Sequence, residues 1–160
     1  MPFDGREVVV TGGTGALGAA VVGALVQAGA TCTVPWLHEN EAERFPYRES
    51  KQVKLVGPVD LADDAAVDRL FAGVPALWAS VHIAGGFAMA PVAKTGKAQL
   101  MQQIDINLVS CFLCCRPRST PSAAPGRAGG SSMFRRALLS NGGSAPAWLP
   151  IPRARPPWRR

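Results

Sequence analysis

The chain has few of the features that mark secreted or membrane-bound proteins. Its four cysteines, Cys32, Cys111, Cys114 and Cys115, do not form the series of cysteine pairs expected in a disulfide-stabilised domain. There is no run of about 18 uncharged apolar residues, and no secretory signal precedes the first predicted strand. These absences predict a cytoplasmic protein with reduced cysteines and no membrane partner.

Tyrosine, lysine and acidic residues are scarce in the second part of the chain. The single tyrosine is Tyr47, no lysine follows Lys97, and no acidic residue follows Asp105. Residues 1–115 hold 8 lysines and arginines against 11 acidic residues, whereas residues 116–160 hold 9 arginines and no acid. We therefore predict a domain over residues 1–115 and an Arg/Pro-rich segment over 116–160, whose composition is typical of disordered or non-native sequence.

Glycine is concentrated directly after the first predicted strand. The β-branched run Val8–Thr11 leads into Gly13-Thr14-Gly15-Ala16-Leu17-Gly18, which has the pattern G-x-G-x-x-G, and an apolar helix follows. Glycines in such a turn let the backbone approach a pyrophosphate, and the positive end of the helix dipole faces the negative charge. The pattern predicts a phosphate cradle at a helix N-terminus.

Strands and helices alternate along residues 1–115. The predicted strands and helices, in chain order, are strand Glu7–Thr11, helix Leu17–Ala28, strand Ala30–Trp36, a short turn of helix at Glu39–Arg44, strand Val53–Val56, helix Asp63–Phe71, strand Leu77–Ile83 and helix Gly96–Cys115. Alternation of this kind requires crossover connections, so we expect an α/β protein with a parallel sheet.

From Arg6 to about Cys115 the sequence resembles the short-chain dehydrogenase/reductase family. Thr11-Gly12-Gly13-Thr14-Gly15-Ala16-Leu17-Gly18 looks like the T-G-x-x-x-[A/G]-x-G cofactor turn of that family. Asp60-Leu61 is similar to the position after the third strand at which an acid contacts the adenine. The resemblance implies a Rossmann-like doubly wound sheet with strand order 3-2-1-4, incomplete at its C-terminal end.

Two further segments carry the same resemblance. His82-Ile83-Ala84-Gly85 stands in the place of the N-N-A-G segment and keeps its last two residues, and Asn107 lies where the family has its catalytic asparagine. The resemblance therefore implies a catalytic role for Asn107, although an asparagine on an apolar helix also fits a purely structural role. The implied cofactor contacts are Thr11, Gly12, Thr14, Gly15, Leu17, Gly18, Asp60, Leu61, Ala84 and Gly85.

The choice between NAD and NADP stays open. Trp36 stands where NAD-dependent members place an acid for the ribose hydroxyls, and no arginine lies directly beside it for a 2′-phosphate. The nearest candidates for that phosphate are His38 and Arg44. We predict no metal site, because the three cysteines near position 113 share a helix and read as small buried residues.

The residues that would complete the chemistry are missing from the sequence. Family members continue into a catalytic serine and then a Tyr-x-x-x-Lys pair, in which the lysine lowers the pKa of the tyrosine so that it can exchange a proton. No such pair follows Asn107 here, so we expect little or no turnover. Read in a shifted register, codons for Pro150–Arg159 can spell Tyr-x-x-x-Lys and those for Gly129–Arg136 a strand ending in serine. We therefore favour a frameshift near residues 115–118.

Three functions follow from these observations. The resemblance implies a parent NAD(P)-dependent oxidoreductase, a homo-oligomer that moves hydride between the nicotinamide and a small carbonyl or alcohol substrate. The alternative is a non-catalytic dinucleotide-binding fragment. A third reading, in which the arginines of the last segment bind nucleic acid together with Trp148 and Trp158, is disfavoured.

Overall fold

The structure is a computed structural model that describes residues 1–116. The Arg/Pro-rich segment from residue 117 onward, including the proposed frameshifted motifs and the candidate nucleic-acid contacts, lies outside the described residues.

Four parallel strands form one sheet in the order β3-β2-β1-β4. The strands are β1 (Glu7–Thr11), β2 (Thr31–Pro35), β3 (Val53–Val56) and β4 (Leu77–His82). The helices are α1 (Ala16–Gln27), α2 (Glu39–Arg44), α3 (Asp64–Ala72), α4 (Lys97–Ile104) and α5 (Ser110–Cys115), with a 3-10 turn at Val92–Lys94. The predicted strand order and parallel sheet are confirmed.

The last predicted helix is the main departure from expectation. Between α4 and α5 the backbone adopts a π-helical segment, Asp105–Val109, where a single helix from Gly96 to Cys115 was expected. A π-helical segment holds one extra residue in a turn and is frequently found at functional sites. The strand ends differ from the predicted ones by no more than one residue, because Ala30, Trp36 and Ile83 fall outside β2 and β4.

The hydrophobic core lies on both faces of the sheet, as a doubly wound fold requires. Alternate residues of β1 divide between two clusters: Val8 and Val10 pack with Val22 of α1, whereas Val9 packs with Val67 of α3 and Leu113 of α5. The three valines in the middle of β1 are therefore apolar towards both faces, and the strand is buried from Val8 to Thr11. No helix within residues 1–116 is long and apolar enough to cross a membrane.

Ion pairs at the surface join α3 to Arg116, the residue that follows α5. The guanidinium of Arg116 contacts the carboxylates of Asp64 and Asp68, the second at 2.9 Å.

Because all four strands are parallel, their carboxyl ends lie at one edge of the sheet, and the turns that follow them meet there.

Candidate functional site

The turn between β1 and α1 is shaped by glycines that have no room for a side chain. Gly12 has a φ of 69°, and a Cβ built on it would lie 2.6 Å from the backbone nitrogen of Ala84, just beyond β4. A Cβ on Gly18 would collide with the carbonyl oxygen of Gly12. The backbone therefore makes the close turn that the sequence predicts, and only glycine fits at these two positions.

The N-terminus of α1 opens onto this turn. Its N-cap is Gly15, and the first helical bond joins the amide of Ala19 to the Gly15 carbonyl at 2.8 Å. The amides of Ala16, Leu17 and Gly18 precede that bond, and all three residues line the adjacent cleft. Amides in this position, at the positive end of the helix dipole, attract an anion such as a phosphate.

The cleft has a volume of about 620 Å³, which is within the range of small-molecule and cofactor sites. It runs along the carboxyl edge of the sheet and is lined by residues that follow all four strands. Nine of the predicted cofactor residues line it: Gly12, Thr14, Gly15, Leu17, Gly18, Asp60, Leu61, Ala84 and Gly85. The fold thus brings together segments that are more than 70 residues apart in sequence. The missing Cβ atoms at the turn and the helix amides fit the pyrophosphate of a dinucleotide.

Thr11 is the predicted cofactor residue that does not line the cleft. Its side chain is buried beneath the turn, and its hydroxyl donates to the carbonyl of Val81 in β4 at 3.5 Å. In this position it links the ends of β1 and β4. Its contact with a cofactor stays a prediction.

Asp60 follows β3 and lines the cleft. Its carboxylate accepts a hydrogen bond from the amide of Ala62 at 2.9 Å, and its carbonyl accepts one from Asp63 at 3.2 Å. These bonds close a tight turn that holds Asp60 and Leu61 at the rim of the cleft. A contact between Asp60 and an adenine base stays a prediction.

Asn107 fastens the helical region to the chain that leaves β4. Its side-chain nitrogen donates to the carbonyls of Gly86 and Gln103, each at 2.9 Å, and its side-chain oxygen accepts from the Gly86 amide at 3.2 Å. The residue lies in the π-helical segment and does not itself line the cleft, although its neighbours Ile106 and Ser110 do. This geometry gives Asn107 a positioning function, and its catalytic role stays a prediction.

Several residues of the cleft were not among the predicted contacts. Trp36 and His38 stand out in the sequence only by their position after the second strand, and Leu37 and Glu41 belong to no motif. The sequence of α2 does not show which side chain faces the cleft, because the turn between β2 and α2 decides that direction. Gly86 could have been found from the double glycine at the end of β4.

The cysteines do not form a site. No disulfide joins them, and no group of three or more His, Cys, Asp or Glu residues within the described chain is arranged to hold a metal ion. Burial raises the pKa of the Cys32 thiol to about 11 and that of Cys114 to about 12. Both thiols lie in the core, whereas Cys111 and Cys115 are partly exposed. The expectation that all three cysteines near position 113 are buried is therefore wrong for Cys111 and Cys115.

Comparison with known proteins agrees with the observed fold. The model of the short chain dehydrogenase family matches residues 6–128, well over half of the chain and past the end of α5. No curated protein is significantly similar in sequence.

Two solved structures illustrate the similarity. One is a short-chain dehydrogenase/reductase described as a glucose/ribitol dehydrogenase from Brucella melitensis, with 21% identity and a TM-score of 0.66 over 72% of this chain and 52% of the other. The second is a short chain dehydrogenase/reductase family protein, with 23% identity and a TM-score of 0.66 over 72% of this chain and 49% of the other. At these identities the likeness concerns the fold, and the chain spans about half the length of the structures it matches.

Proposed function

The chain belongs to the short-chain dehydrogenase family, and from that membership we propose that it binds a nicotinamide dinucleotide without turning over a substrate. The family uses NAD or NADP, whose nicotinamide exchanges hydride with a carbonyl or alcohol carbon. The observation that carries the proposal is the cleft, which joins the glycine turn, the N-terminus of α1 and the segments after β3 and β4. This is the arrangement that doubly wound folds use for dinucleotides.

The absence of turnover follows from the sequence beyond Asn107. No tyrosine follows Tyr47 and no lysine follows Lys97, so no Tyr-x-x-x-Lys pair is available to exchange a proton with a substrate. Binding requires only groups at the carboxyl edge of the sheet, whereas proton transfer requires the missing pair. The intact parent, in our proposal, is a homo-oligomeric oxidoreductase acting on a small carbonyl or alcohol.

We also propose a cytoplasmic location. The support is the cysteine chemistry: four cysteines form no disulfide, and the two buried thiols lie in the core as small apolar groups. Thiols used in this way suit a reducing compartment.

The test is titration of the full 160-residue chain with NADH and NADPH, followed by cofactor fluorescence, and then a carbonyl-reduction assay. We expect saturable binding of at least one cofactor and no reduction. Lack of binding, or measurable reduction, would contradict the proposal.

A matched pair of variants tests whether the cofactor binds in the cleft. Gly15 and Gly96 are both helix N-caps with similar backbone angles, but only Gly15 lines the cleft. Aspartate is a favourable N-cap residue, so neither substitution should harm folding. In Gly15→Asp the new carboxylate repels the pyrophosphate, and we expect affinity to fall about tenfold. Gly96→Asp should bind as the wild type does; equal affinity of the two variants would place the cofactor elsewhere.

A further inference from the structure

A second pocket, which we call the edge pocket, lies between helix α3 and β3, the strand at the edge of the sheet. Its volume is about 240 Å³. At about 30 Å³ for each water molecule in the liquid, this is room for a small organic molecule. Among the described residues, Val59 alone lines both this pocket and the cleft. A dinucleotide in the cleft therefore does not account for the edge pocket.

Thr33 of β2 forms the floor of the edge pocket. Its neighbours Cys32 and Val34 pack on the α1 side of the sheet, so the Thr33 side chain faces α3. The residue is 6% exposed, and its hydroxyl has no hydrogen-bond partner within residues 1–116. Buried hydroxyl groups are nearly always hydrogen-bonded, so this one is available to a molecule that fills the pocket.

Two cations stand at the rim of the edge pocket. Lys54 of β3 is the register partner of Thr33, so both side chains point to the same face of the sheet. Arg69 comes from α3. Both side chains are exposed, and neither forms an ion pair or a hydrogen bond with any other residue that the structure describes. Since no carboxylate is among the described lining residues, the pocket offers two positive charges that no acid balances.

Helix α3 leaves the space open and supplies an apolar wall. Ala66, Arg69, Leu70 and Gly73 line the pocket at the spacing of one helical face. The alanine and the glycine are too small to fill it. The side chains of Leu70 and Val74 belong to the buried core cluster on this side of the sheet. The edge pocket therefore combines a polar floor, a cationic rim and an apolar wall.

We propose that the edge pocket binds a small organic anion, a carboxylate or a phosphate ester with a body of a few carbon atoms. The negative group lies between Lys54 and Arg69, because a guanidinium pairs with two oxygens of a carboxylate or phosphate and an ammonium adds a second charge. The carbon body covers Leu70 and Val74, and the Thr33 hydroxyl hydrogen-bonds to the ligand. An inorganic anion would leave the apolar wall uncovered, and a neutral molecule would leave both cations unbalanced. This site does not depend on the dinucleotide, since its cations lie outside the cleft.

The experiment is isothermal titration calorimetry of the full chain with butyl phosphate, 1-butanol and inorganic phosphate. 1-Butanol has the carbon body without the charge, and inorganic phosphate has the charge without the body. The variants are Lys54→Gln and Arg69→Gln, with Lys51→Gln as the matched control. Lys51 is also exposed and lies three residues before Lys54, but it does not line the pocket. Each of the three substitutions removes one positive charge from the surface.

We expect saturable binding of butyl phosphate at least about tenfold tighter than that of 1-butanol or inorganic phosphate. Lys54→Gln and Arg69→Gln should each weaken it by about fivefold or more, and Lys51→Gln should leave it unchanged within about twofold. No saturable binding would overturn the proposal. Equal affinity of the wild type and Arg69→Gln would overturn it as well, and so would an equal loss in Lys51→Gln and Lys54→Gln.

Thr33→Val tests the floor of the pocket separately. Valine has nearly the shape of threonine without the hydroxyl, so we expect butyl phosphate to bind about threefold more weakly while the urea midpoint does not fall, because no hydrogen bond within residues 1–116 is lost. Unchanged affinity in this variant would contradict the hydrogen bond from Thr33 to the ligand.

Discussion

The contact between the glycine turn and the end of β4 can be tested by one pair of substitutions. Gly12 and Gly5 have nearly the same positive φ, 69° and 68°. A Cβ on Gly12 would lie 2.6 Å from the nitrogen and 2.8 Å from the Cα of Ala84, whereas a Cβ on Gly5 meets nothing within 4 Å. Alanine at the two positions therefore suffers the same backbone strain but a different steric effect.

The magnitudes follow from these two terms. An L-residue in the left-handed region costs about 1–2 kcal/mol, and we expect Gly5→Ala to lower the free energy of unfolding by this amount. In Gly12→Ala the contacted atoms are backbone, so the chain after β4 must move, and overpacking of this kind costs a further 1–3 kcal/mol or so. The displaced segment includes Ile83, whose amide bonds the Thr11 carbonyl at 3.0 Å.

The assay is urea unfolding of the full chain and both variants, followed by circular dichroism. Gly12→Ala should be less stable than Gly5→Ala. Because both variants place alanine at a positive φ, the difference in their free energies of unfolding measures the steric clash with Ala84. Equal stability of the two variants would refute the close approach of the turn to β4. Cofactor titration of the same variants should show weaker binding in Gly12→Ala and wild-type binding in Gly5→Ala.

Two further predictions concern the core and the π-helical segment. Because burial raises the pKa of Cys32 and Cys114 from 9.0 to about 11 and 12, the unfolded chain loses these protons first, and stability should fall as pH rises above about 9. The urea midpoint should change less between pH 8 and pH 10 in the double variant Cys32→Ala, Cys114→Ala than in the wild type. An equal change in both proteins would show that these two thiols are not the cause of the pH dependence. Asn107→Asp replaces the side-chain nitrogen that donates to the Gly86 and Gln103 carbonyls by an oxygen that cannot donate. We expect the free energy of unfolding in urea to fall by about 1–3 kcal/mol. An unchanged free energy of unfolding would contradict these two hydrogen bonds.

Local pattern was sufficient to predict most of the fold. The β-branched run in β1, the glycines after it and the alternation of strands with helices each depend on residues close together in sequence. Gly12 illustrates this, because its need for a positive φ is intrinsic to a tight turn. The apolar stretch Val8–Val10 is buried on both faces, as parallel sheets covered by helices require.

The features that sequence did not predict depend on contacts between distant residues. Asn107 is held by Gly86, which lies 21 residues earlier, and the π-helical segment occurs where that contact forms. The place of Glu41 in the cleft could not be predicted for a different reason. The turn after β2 sets the direction of its side chain, and Trp36 occupies the position at which NAD-dependent members have an acid. In both cases a side chain gained its place from the path of the backbone, which a linear pattern does not contain.

The proposed function separates cofactor binding from catalysis, because the two depend on different parts of the chain. The contacts that shape the cradle join β1, the start of α1 and the end of β4, and the clamp on Gly86 comes from Asn107. All of these residues precede the point at which the serine and the Tyr-x-x-x-Lys pair would follow. Under the proposed function, a chain without those later motifs lacks proton transfer but keeps the glycine turn and the helix dipole of α1. If the proposal holds, such a chain should retain cofactor binding even where it has no turnover, and saturable binding without turnover is the property that would distinguish it from a misfolded fragment.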